Sequence, residues 1–210
     1  MEKLIHIPVQ EVELEGMLKI PQGAKSIVLF AHGSGSSRFS PRNNYVADAL
    51  NKAGLGSLLI DLLSPEEDQT YETRFDITLL TERLMHVVKW LQKQPETKKL
   101  SVSLFGSSTG AAAALKVAAL LGTNIHSVVS RGGRPDLAIP VLSQVVSPTL
   151  LIVGGNDFGV IELNQTAYDL LSCEKAFEIV PGATHLFEEP GCLEQVAKLA
   201  TNWFKKDADN

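Results

Sequence analysis

The sequence predicts an α/β fold in which a mostly parallel sheet carries helices on both faces. Three features carry this reading: short, continuously apolar runs, longer helical stretches alternating with them, and one alternating segment ahead of both. That segment, VQEVELEGMLKI at 9–20, is broken at Gly16 and predicts an N-terminal β-hairpin. The runs SIVLFA (26–31), GSLLID (56–61), LSVSLF (100–105), HSVVS (126–130), TLLIVG (149–154) and AFEIV (176–180) are too short and too apolar for half-exposed strands. They fit parallel strands buried on both faces. Helical patterns fall between them at 45–53, 74–94, 109–121, 161–171 and 193–204. Such alternation implies right-handed βαβ units. Functional side chains are then expected in the loops that follow the carboxyl ends of the strands.

A chain of 210 residues without linkers, repeats or long charge runs predicts one domain over residues 1–210. With 44% hydrophobic and 20% charged residues the composition is that of a soluble globular protein. A net charge of −5 argues against a nucleic-acid partner. No apolar run reaches the roughly 20 residues of a membrane span, and the N-terminus MEKLIHIPVQEVEL lacks the apolar core of a secretory signal. Cys173 and Cys192 have neither metal-ligand nor CxxC spacing, which predicts reduced thiols, no metal and a cytoplasmic protein.

The chemistry centres on FGSSTGAAAAL, where Ser108 stands at the middle of Gly106-Ser107-Ser108-Thr109-Gly110. A strand precedes this G-x-S-x-G and a helical run follows it, the context of a nucleophile elbow. A turn this sharp strains the nucleophile's backbone and brings the residues two places either side against neighbouring chain, so both are glycine. The alanines let the helix approach the sheet, and its positive N-terminal end faces developing negative charge. Ser107, off the centre of the bracket, is expected to turn aside.

A serine hydroxyl needs a base, usually a histidine oriented by a carboxylate. Of five histidines, His185 in PGATHLFEEPG follows the last strand run at the expected edge, whereas His6, His86 and His126 do not. Asp157 in LLIVGGNDFGV follows the preceding strand; Asp61, which also ends a strand, is the alternative acid. Glu188 and Glu189 are expected to serve the first turn of a last helix beginning near Pro190. For the oxyanion hole the Thr109 N–H is one donor, and the loop AHGSGSS supplies the other, from Ser34 or else Gly33. His32 is expected to shape that loop.

Together AHGSGSSRFSPRN, GSSTGAAAAL, VVSRGGRPDLA, TLLIVGGNDFGVIELN and IVPGATHLFEEPG resemble the α/β-hydrolase superfamily, in its small dienelactone-hydrolase-related branch. The order Ser108, Asp157, His185 is the order of that superfamily. The resemblance implies an α/β-hydrolase fold, a Ser108–His185–Asp157 triad and no metal or organic cofactor. Dienelactone hydrolase itself uses a cysteine nucleophile, so Ser108 is a departure that speaks against dienelactone as the substrate.

Four of the six arginines fall in two loops at the expected catalytic edge, Arg38 and Arg42 in SSRFSPRN and Arg131 and Arg134 in SRGGRPD. Their guanidinium groups suit an anionic substrate, with Arg131, Arg134 and Arg38 as candidate ligands and local ion pairing as the alternative. The short segment 132–147 leaves no room for a large lid, which favours small soluble esters or lactones. Acyl transfer to water is the reading of choice. Transfer to another acceptor, thioester or peptide cleavage, and a noncatalytic binding protein remain alternatives.

Overall fold

The computed structural model describes residues 2–208, and eight strands form one sheet in the order β1-β2-β4-β3-β5-β6-β7-β8. The strands are β1 (Glu2–Val9), β2 (Val12–Lys19), β3 (Ser26–Ala31), β4 (Gly56–Ile60), β5 (Ser101–Ser107), β6 (Val128–Arg131), β7 (Thr149–Gly154) and β8 (Lys175–Val180). The helices are α1 (Pro41–Lys52), α2 (Ile77–Leu91), α3 (Thr109–Leu121), α4 (Phe158–Leu170) and α5 (Cys192–Ala208). Strands β3 to β8 run parallel; β1 and β2 are antiparallel to each other, and β2 is antiparallel to β4. The sheet is open, with helices on both faces and no large lid among the described residues.

The N-terminal hairpin exists but begins earlier than the sequence pattern suggests. Its strands pair from Glu2 opposite Lys19 to Val9 opposite Val12, and the turn is at Gln10, whose φ is 54°, and Glu11. Gly16 is inside β2. A side chain there would meet Leu58 Cδ1 at 2.8 Å and Ile60 Cδ1 at 2.9 Å, so the glycine marks a close strand crossing instead of a turn. Helix starts also differ from the patterns where capping chemistry governs them, α1 beginning before residue 45 and α2 after residue 74. Ser40 caps α1 by accepting the Asn43 N–H, with Pro41 at the first helical position; Asp76 caps α2 through the Leu79 N–H. The last helix begins at Cys192, which leaves Glu188 and Glu189 in the preceding loop.

Alternate residues of each central strand supply two cores. On one face Val28, Phe30, Phe105, Val129 and Ile152 pack with α1 and α5 through Val46, Leu50, Val196 and Phe204. On the other, Ile27, Leu29, Leu104, Val128 and Leu151 pack with α2, α3 and α4 through Leu84, Val88, Ala112, Leu115 and Ala167. Segment 135–144, where a lid would sit in a larger relative of this fold, is a 3₁₀ stretch with Ala138 and Leu142 buried in that second core.

The chain passes from β3 outward to β4, then crosses back to the other side of β3 as β5. Loops following β3 and β5 therefore diverge at a topological switch point, where open α/β sheets bind ligands. The glycine bracket is what brings them together. A Cβ on Gly110 would lie 2.2 Å from the Ala31 carbonyl oxygen and 2.5 Å from that of His32; one on Gly106 would lie 2.4 Å from Ala111 Cα. These neighbours are backbone and cannot swing away. Gly110→Ala is expected to lower unfolding free energy by about 1–3 kcal/mol or more, the usual cost of overpacking, as measured by urea denaturation. A change within about 0.5 kcal/mol would show that α3 moves freely off β3.

Candidate active site

Ser108 sits between β5 and α3 with φ 49° and ψ −121°, one of three non-glycine residues with positive φ among those described. Three backbone hydrogen bonds hold it there. Its N–H donates to Arg131 O at 3.3 Å, and its carbonyl accepts from Arg134 N at 3.0 Å and Ala111 N at 3.1 Å. Ser108 occupies the N-cap position of α3, yet its side chain makes no capping bond, unlike Ser40 and Asp76. Its Oγ is thereby left for other chemistry. Ser107 does turn aside: it is buried and its Oγ donates to Asn43 Oδ1 at 2.9 Å.

Asp157 likewise stands at the N-cap of α4 without capping it. Its Oδ2 instead meets His185 Nδ1 at 2.7 Å. A carboxylate only accepts, so Nδ1 carries the proton and Nε2 is left bare as a base. The loop after β8 is sewn to the loop after β7 by Asn156, whose N–H donates to Ala183 O at 2.9 Å and whose Nδ2 donates to Gly182 O at 3.0 Å. Glu189 grips the same loop, accepting from Thr184 N at 3.1 Å and Thr184 Oγ1 at 2.6 Å. These bonds hold its carboxyl below the usual range.

The ring reaches the serine's surroundings. A Cβ on Gly132, the residue after the Arg131 carbonyl that Ser108 N–H binds, would lie 3.5 Å from His185 Cε1. Among the described residues Ser108 Oγ makes no hydrogen bond to the imidazole; such bonds are often long before substrate binds. The other histidines are used elsewhere or lie away from the site. His6 meets Glu13 at 3.0 Å, His86 is exposed on α2, and His126 lies ahead of β6 at the opposite sheet edge. Asp61 accepts from Arg38 N at 2.6 Å and pairs with the Arg38 guanidinium, so it is committed to that loop and is no rival for the imidazole.

His32 is buried, with Nδ1 at 2.9 Å from Gly33 O and Nε2 accepting the Leu62 N–H at 3.0 Å. A neutral ring protonated on Nδ1 satisfies both contacts, and it ties the loop after β3 to the end of β4. Ser34 corrects the expectation for the oxyanion hole. Its N–H already donates to Thr109 Oγ1 at 3.0 Å and so is directed at a protein oxygen. Thr109 N–H, at the first position of α3, has no intrahelical acceptor and remains available.

The arginines divide. Arg38 is neutralised by Asp61 and Glu15, and Arg134 holds Asp136 in a bidentate pair at 2.8 and 2.7 Å; for both, the ion pairing that the sequence left as the alternative is present. Arg131 is different. It is 5% exposed, donates through Nη2 to Asn43 Oδ1 at 3.2 Å, lies 5.7 Å from the Phe187 ring, and has no carboxylate partner among the described residues. Burial, and secondarily Arg42, pushes its guanidinium down to about 10, still charged at neutral pH. Asn43 and Asn156 were not singled out from sequence, and Glu189 was assigned to the last helix instead of the loop it holds; an amide or carboxylate buttress has no spacing signature of its own. Beside the loop after β3 is a cavity of about 220 Å³ lined by Glu13, Glu15, Asp61, Asp68, His32 and Arg38 among others. No described group of His, Cys, Asp or Glu is arranged to hold a metal ion, and no described helix is long and apolar enough to cross a membrane.

The model of the dienelactone hydrolase family matches residues 14–206. A crystal structure of a dienelactone hydrolase from Anabaena variabilis superposes with TM-score 0.97 at 53% identity, over 99% of this chain and 98% of that one. Est1E from Butyrivibrio proteoclasticus shares the fold at TM-score 0.85 and 14% identity, over 99% of both chains. Two Mycobacterium tuberculosis proteins, each provisionally named a phosphoribosyl transferase, are 57% identical over 193 residues. That stretch is 92% of this chain and 44% of theirs, so the chain spans less than half the length of these relatives.

Burial holds His32 below its ordinary value of 6.5, which has a consequence for acid stability. With the folded value depressed, the unfolded chain binds more protons, so stability is full above about 6.5 and falls as pH drops toward the folded value. Urea unfolding at pH about 8 and about 5.5 should show a larger acid loss for wild type than for His32→Gln. Equal losses would show that this ring is not the titrating group.

Proposed function

The chain belongs to the dienelactone hydrolase family and is an α/β hydrolase, and we propose that it cleaves a small ester or lactone through an acyl-enzyme on Ser108. The observation that carries the reading is the Asp157–His185 bond at 2.7 Å beside a strained, uncapped serine. In this reading His185 Nε2 takes the Ser108 proton as Oγ adds to the carbonyl carbon, and the π pair moves onto oxygen. The imidazolium, held by Asp157, returns the proton to the leaving alkoxide as the tetrahedral adduct collapses. Water then adds to the acyl-enzyme with the same base, and Ser108 leaves with its proton restored.

The phosphoribosyl transferase name of the M. tuberculosis relatives describes proteins of which the matching stretch is 44%. A hydroxyl, an imidazole base and an orienting carboxylate suit attack on a carbonyl, so we assign acyl chemistry, not phosphoribosyl transfer, to this part. The Arg131 cation supports a substrate carrying a negative group on the β6 side of Ser108. The carboxylates lining the cavity beside β4 would repel such a group.

A fluorophosphonate probe should label Ser108 in the wild type and leave Ser108→Ala unlabelled. His185→Ala and Asp157→Asn should lower the labelling rate by about 10²–10⁴ while the thermal midpoint is kept. Labelling of Ser107 or of a cysteine, or none at all on folded protein, would end the Ser108 reading. Arg131→Ala should lower kcat/KM more for an anionic ester than for a neutral one of equal size, a ratio insensitive to any loss of folded protein. Equal losses would remove the anion-binding role.

A further inference from the structure

Thr109 is 3% exposed, and its hydroxyl is used unlike those of the other buried threonines. Thr81 Oγ1 donates to Ile77 O, Thr97 Oγ1 to Leu91 O and Thr149 Oγ1 to Ser147 O. Helical threonines commonly donate to a carbonyl four residues back. Four residues before Thr109 is Phe105, whose carbonyl belongs to β5, so no helical carbonyl stands there. Thr109 Oγ1 instead accepts, from Ser34 N–H at 3.0 Å, and among the described residues its own proton reaches no acceptor. A buried hydroxyl that receives a hydrogen bond and gives none is an exception to the rule that buried donors are paired.

The place of that proton is informative. Thr109 directly follows Ser108, and the loop that feeds it lies against the serine: a Cβ on Gly33 would stand 3.0 Å from Ser108 Cβ and 3.7 Å from its Oγ. The hydroxyl therefore lies between the two backbone segments from which an oxyanion hole is built. Accepting the Ser34 N–H polarises the O–H bond and makes it a stronger donor. We infer that Thr109 Oγ1–H is a catalytic donor to the oxyanion, acting with Thr109 N–H, and that Ser34 N–H works one step removed by polarising it. This inference rests on the reading of Ser108 as nucleophile. When Oγ adds to the carbonyl carbon, the negative oxygen accepts both Thr109 donors; when the adduct collapses, that electron pair returns to the carbonyl.

The test separates the two readings. Wild type, Thr109→Val, Thr109→Ala and Thr109→Ser are treated with a fluorophosphonate, whose attack builds negative charge on oxygen irrespective of the natural substrate. The same proteins are assayed with p-nitrophenyl acetate, and folding is followed by thermal midpoint. Removing the hydroxyl in the Val or Ala variant should slow labelling and lower kcat by about 10²-fold with KM little changed, and Thr109→Ser should restore most of the rate. Labelling of Thr109→Val or Thr109→Ala at or above the wild-type rate would overturn the inference, because the released Ser34 N–H would then be the true donor. Equal slowing in Thr109→Ser and Thr109→Val would also overturn it, since only the shape of the side chain would matter. An unlabelled wild type would instead overturn the nucleophile reading on which the inference stands.

Discussion

The site depends on keeping one serine in a backbone conformation that L-residues avoid. A residue in so sparsely populated a region costs of order 1–3 kcal/mol and persists only where its surroundings over-determine it. Here three hydrogen bonds, from β6, from the loop after β6 and from the first turn of α3, fix both backbone groups of Ser108. Those partners are in place because α3 lies against the carbonyls ending β3, an approach that Gly110 alone permits. Strain at one residue is thus balanced by packing across three strands and a helix.

The same logic applies to the caps. Ser and Asp are the preferred residues before a helix because their oxygens satisfy its orphan N–H groups. Ser40 and Asp76 do this, and their helices serve the core. Ser108 and Asp157 occupy the same position and do not, so two helices give up a cap that is typically worth about 1 kcal/mol. At the first, the free N–H groups lie beside Ser108. At the second, the carboxylate turns to His185. The residues that break the local rule are those on which the proposed chemistry rests.

Much of this was legible because chain order and edge position are written in the sequence. β3, α3 and β7 came out at their observed bounds, since continuous apolar runs and an alanine helix are patterns of the chain itself. Ser108, Asp157 and His185 were singled out because each follows a strand. The misreadings have a common cause. Gly16 looked like a turn because sequence shows that a Cβ is missing, not which neighbour requires its absence. Arg38 was a candidate ligand because Glu15 and Asp61 meet it only in the fold, whereas Arg134 with Asp136, two residues on, is the local ion pairing that the sequence held as the alternative. Ser34 looked like a donor because the Thr109 hydroxyl that takes its N–H is far away in sequence and adjacent in space.

Strand order then turns separate charges into a field. Across the catalytic edge the sequence is β2, β4, β3, β5, β6, with Ser108 at the end of β5. On the β2 and β4 side stand Glu13, Glu15 and Asp61, and the Arg38 guanidinium beside them is already matched by two carboxylates. On the β6 side stands Arg131, buried and without a carboxylate partner among the described residues, while neighbouring Arg42 is paired with Glu188 at 2.8 Å. Ser108 lies between a negative flank and a positive one. In the proposed reading, a bound ester that carries one negative group has a lower energy with that group toward β6 than toward β4. On that reading the buried cation, and not the contacts of a lid, orients a small anionic ester over the serine.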